Sequence, residues 1–168
     1  MRVWGNKLLK PLAITLLILL ICALLGTGYL YATCSVTVAD TALTVSDAAA
    51  QEKAFLSLQE QMRNGALSGL VYTDSLDGAA DEYQFLQFEV TLRNTCFLPA
   101  DMVELQVLPQ SGDILQLADF SDHMLSRRSS GTFTATVLSR KSEILPHEIQ
   151  VTFTMWGIPF RLKAHYSR

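Results

Sequence analysis

Four residues close together in the chain could do chemistry. Asp119, Asp122 and His123 fall within ADFSDHML, and Asp113 lies just before them. Carboxylate oxygens with one imidazole suit a divalent cation, so these are the metal-ligating candidates of the chain. They are also the only group on which an enzyme could be built. The stretch lacks the Gly-centred loop that shapes a calcium site, and a solvated loop with Ser121 capping a short helix accounts for it as well. The expectation is no metal and no cofactor. Elsewhere, His147-Glu148 follows Pro146 at a strand entrance with no evident partner, and Arg127-Arg128-Ser129-Ser130 reads as an exposed loop. No serine sits in a GxSxG elbow, no HExxH occurs, and no Gly-rich phosphate loop follows a strand. No catalytic residue is assigned, and the chain is expected not to be an enzyme.

The cysteines add little chemistry. Cys22 lies in an apolar run and reads as a small packing group. Cys34 and Cys96 are the one possible disulfide, although nothing in their spacing demands it. There is no CxxC pair and no zinc pattern.

The elements that would position these residues begin with the run from Pro11 to Ala32, which carries no charge. A helix rises about 1.5 Å per residue, so a hydrocarbon core of roughly 30 Å needs about 20 apolar residues. Residues 11–32 meet that length, and Thr15, polar within LAITLLILLICALLG, can bond back to a helical carbonyl. The expectation is a retained transmembrane helix that contacts the bilayer. The rival is a cleaved signal peptide, against which stand the length of the run and the large residues Leu30 and Tyr31 before Ala32. Arg2, Lys7 and Lys10 precede the run, and the first basic residue after it is Lys53. The positive-inside rule then puts residues 1–10 in the cytoplasm and everything after the span outside. Trp4, Tyr29 and Tyr31 suit the interfacial belts. A plasma membrane is the expected location, and the absence of an N-x-Ser/Thr sequon fits a bacterial one.

From Thr33 onward there are 10 Lys+Arg and 16 Asp+Glu, a balance of 10 − 16 = −6. Nucleic acid is therefore not an expected partner, since its binders cluster basic charge. Residues 33–65 are expected to form a stalk, in which TCSVTVADTALTV is an extended connector or first strand. Within it, a helix is expected over 47–64, capped by Ser46 and stopped by Gly65. Phe55, Leu58 and Met62 share one face of that helix. The face either packs on the following domain or pairs with another subunit.

Residues 66–168 read as β-structure. Apolar residues alternate with polar ones at Leu86–Leu92, Val103–Val107, Phe133–Val137, Ile149–Met155 and Phe160–Tyr166. Period two with one apolar face is the mark of antiparallel strands over a single core. Turn signals separate the runs, and the one at Trp156-Gly157-Ile158-Pro159 makes 149–166 a hairpin. With Gly69–Thr73 and Ile114–Leu117 there are about seven strands, which points to a β-sandwich.

The unit EVTLRNTCFLPADMVELQVLPQSGD resembles the strand–Asn–loop–strand unit of immunoglobulin-like modules in small bacterial membrane-anchored proteins. It is also similar to that of the late-embryogenesis-abundant type 2 (WHy) family. In those modules an Asn side chain helps to close the turn, and Asn94 matches that position. A later Gly-Thr-x-Thr strand start resembles Gly131-Thr132-Phe133-Thr134. The resemblance covers roughly residues 83–166, lacks the Cys–Trp–Cys hallmark of antibody domains, and supplies no site residues. It implies a mainly β chain ending in an immunoglobulin-like antiparallel β-sandwich, with binding or scaffolding rather than catalysis as its work. Three classes of function follow in order. The first is an interaction or assembly module that meets another envelope protein. The second is a ligand-binding or sensory module for a lipid, glycan or ion, and the third is a small hydrolase.

Overall fold

The computed structural model describes residues 5–73, 75–119, 123–141 and 146–166. It divides into two units, Met1–Ser35 and Val36–Arg168. The first holds helix α1 (Gly5–Thr33). Within it Lys10–Tyr29 is a 20-residue stretch long and apolar enough to cross a membrane. With no polar stripe to turn toward water, its Leu and Ile side chains project outward all round. The Thr15 hydroxyl does donate back to a helical carbonyl, that of Pro11, at 2.9 Å. Thr27 repeats the arrangement with Ala23 at 2.7 Å.

Among the described residues, the second unit is built from eight strands and one α-helix. The strands are β1 (Val36–Asp47), β2 (Gly69–Val71), β3 (Tyr83–Asn94), β4 (Asp101–Val107), β5 (Asp113–Leu117), β6 (Ser130–Arg140), β7 (His147–Met155) and β8 (Ile158–Tyr166). One sheet has the order β1-β3-β6-β5-β2 and the other β4-β7-β8, and all the pairings are antiparallel. Leaving out the three-residue β2, the strands in chain order distribute as first-second-fifth-fourth on one sheet and third-sixth-seventh on the other. That is the immunoglobulin constant-type arrangement, so the fold is an immunoglobulin-like β-sandwich. Its core lies between the sheets, where Phe88, Val90 and Leu92 of β3 meet Val103 and Val107 of β4 and Ile149 and Val151 of β7.

Two sequence expectations change. The connector of the expected stalk is a twelve-residue strand: β1 pairs with β3 along its length, from Val36 opposite Asn94 to Asp47 opposite Gln84. Residues 33–65 are therefore not a stalk; from Val36 they belong to the folded unit. Thr- and Val-rich sequence favours strand, and only pairing with a distant neighbour distinguishes a sheet edge from a free connector. The helix of that segment also starts later. Ala48–Gln51 form a 3-10 turn that Ser46 does not cap, since Ser46 is still in β1, and α2 runs Glu52–Arg63. It ends as read. Gly65 takes φ +64°, Gly65 N–H donates to Met62 O, and Ala66 N–H donates to Gln61 O, the bond pattern of a Schellman stop.

The face of α2 packs on its own domain. Phe55 is buried, with Leu58 and Met62 half-buried beside it, against Tyr83, Phe85, Leu115 and Leu138. Phe55 and Tyr83 rings lie 5.2 Å apart. Phe85 and Leu138 point away from the inter-sheet core, so α2 covers the outer surface of the five-stranded sheet and gives that end of the domain a second core.

Candidate functional site

Polar residues in phase with the inward face of a strand are the ones whose burial needs an explanation. Asn94, Gln116 and His147 are three such residues, each buried on a strand.

Gln116 builds one wall of an open groove. It lies on β5, yet its side chain reaches β4 in the other sheet. Its Oε1 accepts from Val107 N–H at 2.9 Å, and its Nε2 donates to Leu105 O at 2.6 Å. The Tyr72 hydroxyl donates to Val107 O at 2.7 Å and stands 3.1 Å from Gln116 Oε1. An amide side chain thus takes the place of a neighbouring strand along this part of the β4 edge. Burial first, and the Asp113 charge second, push the Tyr72 phenol up to about 12, so it remains a donor at physiological pH. Further along the same edge Val103 N–H donates to His123 O, and Ala100 and Leu125 exchange backbone bonds.

Between that edge and β2–β5 the sandwich opens into a groove of about 420 Å³. Leu70, Val103, Leu105, Leu117 and Phe133 give it apolar walls, and Glu104, Gln106, Asp119 and His123 contribute polar ones. β2 can approach β5 this closely only because residue 69 is glycine. Its φ is +146°, and a Cβ there would stand 2.2 Å from Gln116 O.

The metal candidates separate. Asp119 and His123 both line the groove, but the His123 ring nitrogen meets the Asp119 backbone carbonyl, at 3.1 Å. Asp122 lies outside the described residues. Asp113 is turned away into a different site, because β5 carries it to the opposite end of the sheet from the loop that holds Asp119. No group of three or more His, Cys, Asp or Glu gathers among the described residues.

Asp113 instead pairs with His147, for which the sequence offers no evident partner. Both are buried, and Asp113 Oδ2 lies 3.0 Å from His147 Nε2. Gln110 N–H donates to the same oxygen at 2.8 Å. Burial alone would raise the Asp113 carboxyl. Hydrogen bonds from His147, Gln110 N–H and Ser139, with the His147 charge, outweigh it and hold the group below the ordinary carboxylate range. The His147 ring also packs 5.0 Å from that of Phe88. The pair spans the two sheets, β5 on one and β7 on the other. Its alternation signal was present, since His147 is in phase with Ile149, Val151 and Phe153.

Asn94 does close its turn. Its Nδ2 donates to Leu98 O at 2.8 Å and to Ser126 O at 3.1 Å, and its Oδ1 accepts from Cys96 N–H at 2.8 Å. One side chain therefore ties the β3–β4 loop to the β5–β6 loop. Cys96 is buried beneath this network.

No family model matches the chain, so the late-embryogenesis-abundant resemblance stands only at the coarser level of the immunoglobulin-like sandwich. No curated protein matches it either. Among solved structures, the GAE domain of yeast GGA1 is similar at 17% identity and a TM-score of 0.40, over 55% of this chain and 96% of that one.

Proposed function

We infer that this chain is a single-pass membrane protein that holds an immunoglobulin-like interaction module outside the plasma membrane, where the groove takes an extended segment of another envelope protein. The anchor is α1, apolar over Lys10–Tyr29, with its basic flank placing the N-terminus in the cytoplasm. The observation that carries the interaction is the groove. It pairs apolar walls with polar groups at its sides and lies beside the short, exposed edge strand β2. Extended segments bind such places through alternate side chains and free strand edges. A ligand-binding module for a lipid, glycan or ion would use a pocket between the sheets or an open cleft with converging polar groups. The residues between the sheets pack as a core, and the groove is the one place that suits such a cleft among the described residues. The reading assigns no catalytic step to the domain.

A photo-crosslinking residue at Leu70 tests it in intact membranes. The expected result is a discrete crosslinked product that disappears when Leu105→Arg fills the groove. The same products from Leu70 and from a control position at Lys163 on β8 would overturn the groove as the docking site. Protease added from outside should digest the β-domain, and protection would overturn the topology.

A further inference from the structure

The end of the sandwich at which the chain enters carries a concentration of exposed apolar residues. Val36 pairs with Asn94, Ser130 with Arg93, and Asp101 with Thr154. The β3–β4 loop, the β5–β6 loop and the Trp156-Gly157 turn therefore all sit at that end. Outside α1, the large hydrophobic residues that are exposed among the described ones are Val45, Leu56, Leu70, Val71, Phe97, Met102, Met124, Trp156 and Ile158. The last five all lie at this end, with Trp156 76% and Met102 69% exposed. A tryptophan held that far into solvent hides nothing in the free domain.

The backbone adds an independent observation. Among the described residues, positive φ outside glycine occurs at Met102 (+52°) near the start of β4, at Arg128 (+51°) in the β5–β6 loop and at Trp156 (+53°) in the β7–β8 turn, all at this end. The left-handed region costs an L-residue roughly 1–2 kcal/mol, and bulky side chains are rare there. Met102 also sits in the register irregularity of β4. Trp156 and Gly157 (φ +73°) are the two central residues of the β7–β8 hairpin, a turn that requires positive φ at both, and it leaves the indole projecting into solvent. Arg128 lies over the exposed Phe97 ring at 4.0 Å, and Arg127 beside it is exposed; among the described residues of these loops and of the Asp101 strand start, Asp101 is the exposed carboxylate and Asp119 is half-buried. Aromatic rings with basic neighbours are the chemistry of the lipid headgroup zone.

Chain length supplies the reach. Helix α1 ends at Thr33 and β1 begins at Val36, so Cys34 and Ser35 alone separate them. Three residue steps extend at most about 10 Å. We propose that the loop end of the sandwich docks on the outer bilayer surface, with Trp156, Ile158 and Met102 in the headgroup zone beside Arg127 and Arg128. The proposal rests on the reading of α1 as a membrane anchor. It leaves α2 at the end of the domain away from the lipid.

The test uses the full chain with Trp4→Phe, which makes Trp156 the sole tryptophan. It is reconstituted in phosphatidylcholine vesicles with and without phosphatidylglycerol. The expected result is blue-shifted Trp156 emission, quenched about twofold by lipids brominated near the headgroup end of the acyl chain and protected from iodide. In a second reporter, W4F/W156F/L56W, the tryptophan on α2 should be open to iodide and untouched by brominated lipid. Iodide-accessible Trp156 in protein that resists alkaline carbonate extraction would overturn the docking while leaving the anchor standing. Quenching of the α2 reporter as strong as that of Trp156 would also overturn it, because the domain would then meet lipid without preference. Extraction by carbonate would overturn the anchor, and the docking with it.

Discussion

The two ends of the sandwich use apolar residues in opposite ways. At the α2 end, Phe55, Leu58 and Met62 fold onto Tyr83, Phe85 and Leu138, and the sheet is covered on both faces. At the loop end, Trp156, Met102 and Ile158 are turned outward from strained or tight-turn positions. Each end also holds a buried polar centre that joins distant segments, Asp113–His147 near α2 and Asn94 under the loops. The contrast teaches that one end is built for stability and that the other carries a cost in stability which stability does not explain.

Substitutions can break that contrast, and the largest effect belongs to the covered end. Phe55→Ala opens a cavity beside the Tyr83 ring and should cost about 3–5 kcal/mol in urea unfolding of the micellar protein. A change of less than about 1 kcal/mol would show that α2 is not part of the cooperative core. Asn94→Ala should cost about 2–3 kcal/mol, because Cys96 N–H and two loop carbonyls lose their partner. It should also bring faster proteolysis of residues 95–100 and 123–129, and unchanged cleavage would mean that the loops hold without it.

Acid separates the two centres, since Asn94 does not titrate. Asp113 is held below its ordinary value in the folded chain. Its stabilisation is therefore complete above the unfolded value of about 4 and is lost as pH falls through the lower folded value. Unfolding midpoints measured from pH 6 down to pH 2 should fall more steeply for the natural protein than for Asp113→Asn. Parallel curves would mean that the pair contributes nothing to acid stability. The smallest effect has the opposite sign. Trp156→Gly removes the left-handed strain and should stabilise the domain by about 1 kcal/mol. A destabilised Trp156→Gly would show that the indole packs on its own domain, and the contrast between the ends would collapse.

Much of this architecture was legible in the chain. Period two located β3, β4, β6, β7 and β8, and Gly65 marked the end of α2. The face shared by Phe55, Leu58 and Met62 is the one that packs. Asn94 stands out as a turn-closing residue through the resemblance of its segment to the strand–Asn–loop–strand unit of immunoglobulin-like modules. The candidate site was read less well. Nearness in sequence groups Asp113 with Asp119, Asp122 and His123, but a strand separates Asp113 from that loop, and its partner His147 is 34 positions away.

By itself, then, the sequence determined the local periods: one apolar helix of bilayer length, one amphipathic helix and a series of alternating strands. Those follow from side-chain spacing within a few residues, which a linear pattern carries directly. Tertiary structure alone decided that β1 is a sheet edge rather than a stalk, that Gln116 faces β4, and that Asp113 meets His147. It also brought Met102, Arg128 and Trp156 to one end. Each of these depends on which distant strands pair and in what register, and pairing is chosen by burial of the whole core rather than by any one segment.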